Sequence, residues 1–519
     1  MNRARGISGD GVIWRICRTS AVFATIFAAS AAGSEPISLA ERGGETFDAG
    51  AIRSMAKRLS LSAYEEPAPM VTRRNWSYDD QRKLRFQVER APWRKKPPRF
   101  EVHPLPAGWL FTRDIEINLV ENGKVRPYRA MPADFPTYPL EDGGTTSHVP
   151  LSGFRINGPL NVADIADEII VFQGASYFRA IGKGHLYGLS ARGLAIGTQL
   201  GLGEEFPSFT KFWIVKPEPG ADTILVHALL DSKSTAGAYT FAIKPGDQTT
   251  VDVSAYLYPR VDIAHVGLAP LTSMHLLSPT NTVRVKDYRP RVHDSDGLAI
   301  TNGNGERLWR PLNNPKQFQM SAFAGDHPRG FGLVQRHRVF ADYDDLEARY
   351  ERRPTAWVDT LQMTGAGHIV LVEIPSEEEI NDNIVAFWQP EKPLKSGGEY
   401  AIRYRLYWTD DAPLRDSGPW VVQSRIGRAY HVEGNGHRFV IDYRDSAPFS
   451  QVDLPDAKVS ASNGRVEQIT VQPNDETKGV RVSFVLFPDN AKSSELRLTL
   501  SPWNGRLPET WLWRWLDGE

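Results

Sequence analysis

The sequence predicts a mainly β protein: a large N-terminal β-sandwich followed by a smaller one. Three observations carry that reading. Apolar or alternating runs of roughly four to eight residues, broken by Gly, Pro, Asn and Asp, recur along nearly the whole chain. The crossover helices that a βαβ fold requires have no counterpart in the pattern. Residues 410–418 form a polar, proline-bearing linker, after which about 100 residues, 419–519, alternate in the manner of a small sandwich. A chain of 519 residues also exceeds what one compact core usually holds.

Taken in order, residues 1–34 read as an export signal. Arg3, Arg5, Arg15 and Arg18 make a basic start, 21–29 is a short apolar run, and Ala29, Ser30 and Ala31 form a small-residue cleavage site, so cleavage is expected near Ala31. The apolar run is too short to span a bilayer, and secretion is a simpler account than an uncleaved anchor. Residues 46–60 read as a helix headed by Phe47 and Asp48, with Ile52, Met55, Ala56 and Leu59 at helical spacing. Short helices are also expected around 78–86 and 343–350. Strands are expected at 168–171, 211–215, 224–229, 239–243, 249–253, 368–373, 384–388 and 400–408, and in the second domain at 439–443, 466–471, 480–487 and 496–500. The aromatic stretch 511–515 reads as an inward-facing strand.

Composition removes several functions. Basic and acidic residues number 61 and 62 without a basic stripe, which argues against nucleic acid as a partner. Cys17 is the only cysteine and falls within the leader, so a cleaved chain has no disulfide, thiolate nucleophile or zinc thiolate site. No cofactor or metal is expected, and stability must come from a large buried core.

Two acidic clusters are the best candidates for chemistry. Asp382 lies two residues before Ile384, in alternation with Ala386 and Trp388, so an extended chain puts its carboxylate at the rim of an apolar face, where desolvation favours a general acid. The competing reading is a turn made by Asp382 and Asn383 ahead of a buried strand, with Glu379 tuning the site or merely solvated. Asp294 and Asp296 in His293-Asp-Ser-Asp-Gly297 face one way if extended, with His293 and Ser295 facing the other. A general base, a divalent-metal site and an Asx turn all remain open there. Two carboxylates, one donating and one accepting a proton, are the minimum for cleaving a glycosidic bond.

A Gly-rich stretch, 174–196, lacks the Gly-Lys-Ser/Thr ending of a phosphate loop. Its Tyr177, Phe178, Arg179, Tyr187 and Arg192 suit a sugar cleft, through aromatic faces for pyranose rings and donors for hydroxyls, although core or hairpin roles compete. Tyr350, Arg352, Arg353 and Trp357 form another aromatic and basic cluster, with a solvated helix end before Pro354 as its alternative.

Several blocks together, GASYFRAIGKGHLYGLSARGLAI, GEEFPSFTKFWI, YRPRVHDSDGL, NGNGERLWRPLNNP, RGFGLVQRHRVF, YERRPTAWV and NDNIVAFWQPEK, make the chain from Phe47 to Trp515 resemble the periplasmic glucan biosynthesis proteins G and D. The resemblance implies a galactose mutarotase-like N-terminal sandwich over 46–409 and an immunoglobulin-like domain over 419–519. It implies action on β-1,2-glucan in the periplasm, as an inverting endo-glucanase or transglycosylase, with Asp382 as acid, Asp294 as base through water, and Tyr350 and Glu379 in support. Asn383, Trp357 and Trp388 join the expected substrate-binding set. Inversion sets an expected carboxyl separation of roughly 6.5–9.5 Å, or more with a water chain. A non-catalytic glucan-binding factor is the alternative, with a membrane glucan synthase and a homodimer as further candidate partners. The segment 425–438 is shorter than its counterpart in the D-type members, which leaves its role over a cleft open.

Overall fold

The computed structural model describes residues 44–518 apart from 69–76, 78, 79, 81, 82, 95–99, 139–147, 201, 202, 282–285, 326, 364, 413–417, 447–453 and 504. The expected leader, four of the nine residues of the expected helix at 78–86 and the middle of the expected linker therefore lie outside the described residues.

Strand formation follows the alternation. In Thr249–Pro259, Thr249, Val251, Val253, Ala255 and Leu257 are buried and the residues between them are not, because successive side chains leave a strand on opposite faces. Tyr400–Thr409 repeats this with Ile402, Tyr404, Leu406 and Trp408, and the two strands pair antiparallel with Val253 opposite Tyr404. Every strand expected from the sequence is present, usually a few residues longer at one or both ends.

Among the described residues two large sheets face one another. The fourteen-stranded sheet carries Thr249–Pro259 and Tyr400–Thr409 near its middle, and the ten-stranded sheet runs from Glu101–Pro106 to Gln319–Ala324. Phe154, Phe172 and Phe178 from the second sheet interlock with Phe212 and Phe241 from the first, at ring separations of 4.9–5.7 Å, so the main core is a layer of aromatic and branched side chains between the sheets.

A second core lies between a four-stranded sheet, Trp420–Arg428, His437–Arg444, Gly479–Phe487 and Arg465–Asn474, and the C-terminal strands Ser493–Leu500 and Thr510–Leu516. Phe439 and Phe484 stack at 5.0 Å, with Trp511 edge-on to both. Thr510–Leu516 also pairs parallel with Arg307–Pro311, placing Leu308 opposite Thr510, so the two cores share the fourteen-stranded sheet. Trp309 and Trp357 belong to this second core.

The helix Ala49–Leu59 forms where expected. Asp48 caps it by accepting the Gly50 N–H at 2.8 Å, and Ile52 and Ala56 are buried against Trp213, Leu229 and Tyr258 on the outer face of the large sheet. Residues 343–349 depart from expectation. They are turns, because Asp345 Oδ1 accepts the N–H groups of Glu347 and Ala348 at 2.9 and 2.7 Å and Arg349 adopts φ 48°, with only a short 3-10 turn at Tyr350–Arg352. No helix among the described residues is long and apolar enough to cross a membrane.

Candidate functional site

The site is assembled from loops at the ends of strands. Val292–His293 pairs with His275–Leu277, the chain then bends, and it re-enters the large sheet as Gly297–Thr301. The Asp294 N–H donates to Met274 O and the Asp296 N–H to Val334 O, both at 2.8 Å, which fixes the bend. Gly297 is required there, since a Cβ would lie 2.3 Å from the Trp309 ring.

The bend overturns the simple two-face expectation. Asp294 pairs with Arg353, whereas Asp296 receives the backbone N–H of His337 at 3.0 Å and His337 Nδ1 at 2.7 Å. His293 does not face away: its Nε2 lies 3.3 Å from Asp296 Oδ1, and its ring stacks on His275 at 5.0 Å. Burial opposes ionisation of Asp296, but His337 and His293 outweigh it and hold the carboxyl well below the usual carboxylate range. Asp296 is thus a structural anchor, and the described residues hold no group of three His, Cys, Asp or Glu placed around a common centre.

Asp294 and Asp382 come together electrostatically. Asp382 stands in the loop before Ile384–Pro390 with its side chain 31% exposed, and Arg179 Nη2 lies 3.7 Å away. The Asp294 side chain is 4% exposed. Burial pushes its carboxyl up, Arg353 opposes that, and the charge of Asp382 adds to the rise. Arg353 loses solvation in turn, but Asp294 more than compensates and raises its pKa. Gly188 makes room for Arg353, because a Cβ there would meet the Arg353 Cβ at 3.0 Å.

Tyr350 and Glu379 complete the cluster. The guanidinium of Arg353 lies over the Tyr350 ring at 4.2 Å, and the Tyr350 hydroxyl donates to Glu379 Oε2 at 3.0 Å. Arg289 bridges Glu379 and Asp345 at 2.8 and 2.7 Å, which ties the 379–382 loop to the turns at 343–349. Burial raises the Tyr350 hydroxyl above its ordinary pKa, so it stays protonated.

Of the expected binding residues, Tyr177 feels the Asp382 charge, carries the Arg192 guanidinium 4.7 Å over its ring, and is pushed up to about 12 chiefly by burial. Tyr187 faces Glu168 and Arg179, and burial raises its hydroxyl well above the ordinary value. Arg192 is itself buried, held by Thr272 Oγ1 at 2.8 Å and Glu204 Oε1 at 2.7 Å, so it supports Tyr177 rather than lining open space.

Four further expectations need correction. Phe178 and Trp388 are 1% exposed in the main core, Phe178 on the inward face of an alternating strand and Trp388 on a strand covered on both faces, and Trp357 is 1% exposed in the second core with its indole N–H on Asp359. None of these rings offers a face to a sugar. Asn383 is 2% exposed and staples two strands, accepting the His275 N–H and donating to His275 O and Ile374 O.

Sequence reasoning did not single out Arg289 or His337. Arg289 stands five residues before Asp294 and His337 in the block RGFGLVQRHRVF, but nothing in local spacing marks an arginine that clamps two distant loops.

Fold and site define a class: a mainly β, multi-sheet protein whose ionic cluster is gathered from loops at the sandwich edge. Residues 47–515 match the family described as "Periplasmic glucan biosynthesis protein, MdoG", and the chain belongs to that family. It is 44% identical over 474 residues to "Glucans biosynthesis protein G" of Shewanella baltica (strain OS155 / ATCC BAA-1091), covering 90% of this chain and 87% of that one. The protein of the same name from Vibrio cholerae serotype O1 (strain M66-2) is 43% identical, over 91% and 87% of the respective chains. Among solved structures, a galactose mutarotase related enzyme from Lactobacillus acidophilus aligns with 47% of this chain and 99% of its own, at 9% identity and TM-score 0.20, so the description of the fold rests on the sheets themselves.

Proposed function

We propose that this protein acts in the periplasm in glucan biosynthesis, cutting or transferring β-1,2-glucan backbone with inversion. The observation that carries the reading is the pairing of a half-exposed Asp382 with a buried, arginine-held Asp294 close enough to affect its ionisation. Asp382 protonates the departing glycosidic oxygen. Asp294, kept from open solvent, receives the proton of the attacking water through ordered water, with Tyr350 and Glu379 orienting that path. Tyr177, Arg179 and Tyr187 contact the sugar. Residues 46–409 form the glucan-acting domain and 419–519 an immunoglobulin-like domain. Incubating the protein with linear β-1,2-glucan, followed by product sizing and anomer analysis, tests the proposal: shortened or lengthened chains of inverted configuration support it, and Asp382→Asn must abolish them.

One observation favours a second reading, a glucan-binding factor without catalysis: the Asp294 carboxylate is committed to Arg353 and 4% exposed. Retained glucan binding with no change in chain length or anomeric composition would select that role.

A further inference from the structure

We propose that a recess at the seam between the two cores, behind the loop that carries Asp296, binds a compact oxyanion of the phosphate or sulfate type. The recess is small, opens to solvent, and is walled by Arg291, Trp309 and Arg336 on one side and by Gln423 and Ser424 of the strand Trp420–Arg428 on the other.

Its charged lining is two guanidinium groups, Arg291 and Arg336, against one carboxylate, Asp296. Arg291 is 5% exposed, donates through Nη2 to His337 Nε2 at 3.0 Å, and has a buried Nε with no hydrogen-bond partner. An arginine can only donate, so His337 Nε2 accepts, and the ring proton sits on Nδ1 facing Asp296. With its amide oriented so that the oxygen faces the guanidinium groups, Gln423 accepts from Arg291 Nη2 at 3.2 Å and from Arg425 at 2.6 and 3.0 Å, which draws two guanidinium groups together. Ser424 Oγ accepts the Trp511 indole N–H at 2.9 Å, so its own proton is available.

The acceptors nearby are already committed. Both oxygens of Asp296 receive His337 or backbone N–H groups, and Glu509 is taken by Arg336 and the Val421 N–H. A donor-rich wall with saturated carboxylates suits an anion, and guanidinium forks match the geometry of a tetrahedral oxyanion. A sugar ring is disfavoured, because the guanidinium of Arg336 covers the Trp309 face at 3.5 Å. Asp382 does not line the recess, and the proposal holds whatever reaction takes place at Asp382.

The test is a titration of the whole protein with inorganic phosphate, followed by calorimetry and thermal unfolding, against sodium chloride at matched ionic strength. Saturable phosphate binding with a rise in Tm beyond that given by chloride is expected. Gln423→Glu places a carboxylate between Arg291 and Arg425 without removing a cation, so the variant folds while phosphate binding weakens about tenfold or more. Arg425→Ala, at an exposed position, weakens binding in the same direction. Equal effects of phosphate and chloride, or undiminished phosphate binding by folded Gln423→Glu, would overturn the assignment.

Discussion

Replacing Arg353 by Met removes the cation that holds Asp294 and leaves a carboxylate in a place that opposes its charge. The two side chains are 20% and 4% exposed, so the pair is close to the buried limit, where losing one partner costs roughly 3–5 kcal/mol. Partial exposure of Arg353 sets the lower end, about 3 kcal/mol, and the lost contact over the Tyr350 ring adds about 0.5–1 kcal/mol. With Arg353 gone, burial and the charge of Asp382 both push the Asp294 carboxyl further up. Between its unfolded and folded pKa the native chain then binds a proton that the unfolded chain does not, so stability falls as pH rises through that window. The deficit is complete above the folded pKa and shrinks toward the unfolded value, about 4. Urea unfolding at about pH 7.5 and about pH 5 measures this, with a smaller deficit expected at the lower pH. Asp294→Asn combined with Arg353→Met should recover at least about 2 kcal/mol at the higher pH, since the stranded charge is gone. A double variant no more stable than Arg353→Met, together with a deficit independent of pH, would refute the reasoning.

Three further outcomes are expected. Asp382→Asn should leave the unfolding curve unchanged, as the side chain is partly exposed, while lowering glucan cleavage by about a hundredfold or more in a product-sizing assay. Tyr350→Phe deletes the hydroxyl that holds Glu379, costing about 1 kcal/mol in denaturant unfolding, and should slow cleavage while leaving glucan affinity within about twofold. Asp296→Asn should destabilise the protein by about 3 kcal/mol at neutral pH, because it removes the carboxylate that accepts the Arg336 and His337 backbone N–H groups and the His337 ring N–H. The depressed carboxyl of Asp296 stabilises the wild type above the unfolded pKa, and that contribution disappears as pH falls through the folded value, so the variant should lose less stability than the wild type in acid unfolding.

Much of this architecture is readable from the chain because its signals are local. Alternation in 249–257 and 402–408 fixes which side chains enter the core, and Asp48 marks the helix start by a bond to a residue two positions away. Locality gives no warning at 384–388, where Trp388, expected to line a sugar groove, is enclosed because both strand faces are covered, by the main core on one side and by Val370, Val372, Val385 and Phe387 on the other. Asn383 misleads similarly: its partners His275 and Ile374 are supplied by strand pairing rather than by neighbours in sequence. The acidic residues Asp294 and Asp382 stand out in their motifs, but Arg353 becomes the partner of Asp294 only across 59 positions, and Arg289 reaches Asp345 across 56. Such long-range ion pairs have no periodic signature, which is why the electrostatic character of the site is visible only after folding.

The parallel pairing of Thr510–Leu516 with Arg307–Pro311 constrains how this molecule can be made. Segments about 200 residues apart must meet before the interior of the widest sheet is closed, a contact order that favours slow assembly. A chain cut just before Thr510 would leave Arg307–Pro311 and Ser493–Leu500 as raw edges facing each other across a missing rung, ready to recruit a strand from another molecule. Trimming at that end is therefore a route to aggregation, and a nascent polypeptide must be kept from premature pairing until residue 516 is free to dock.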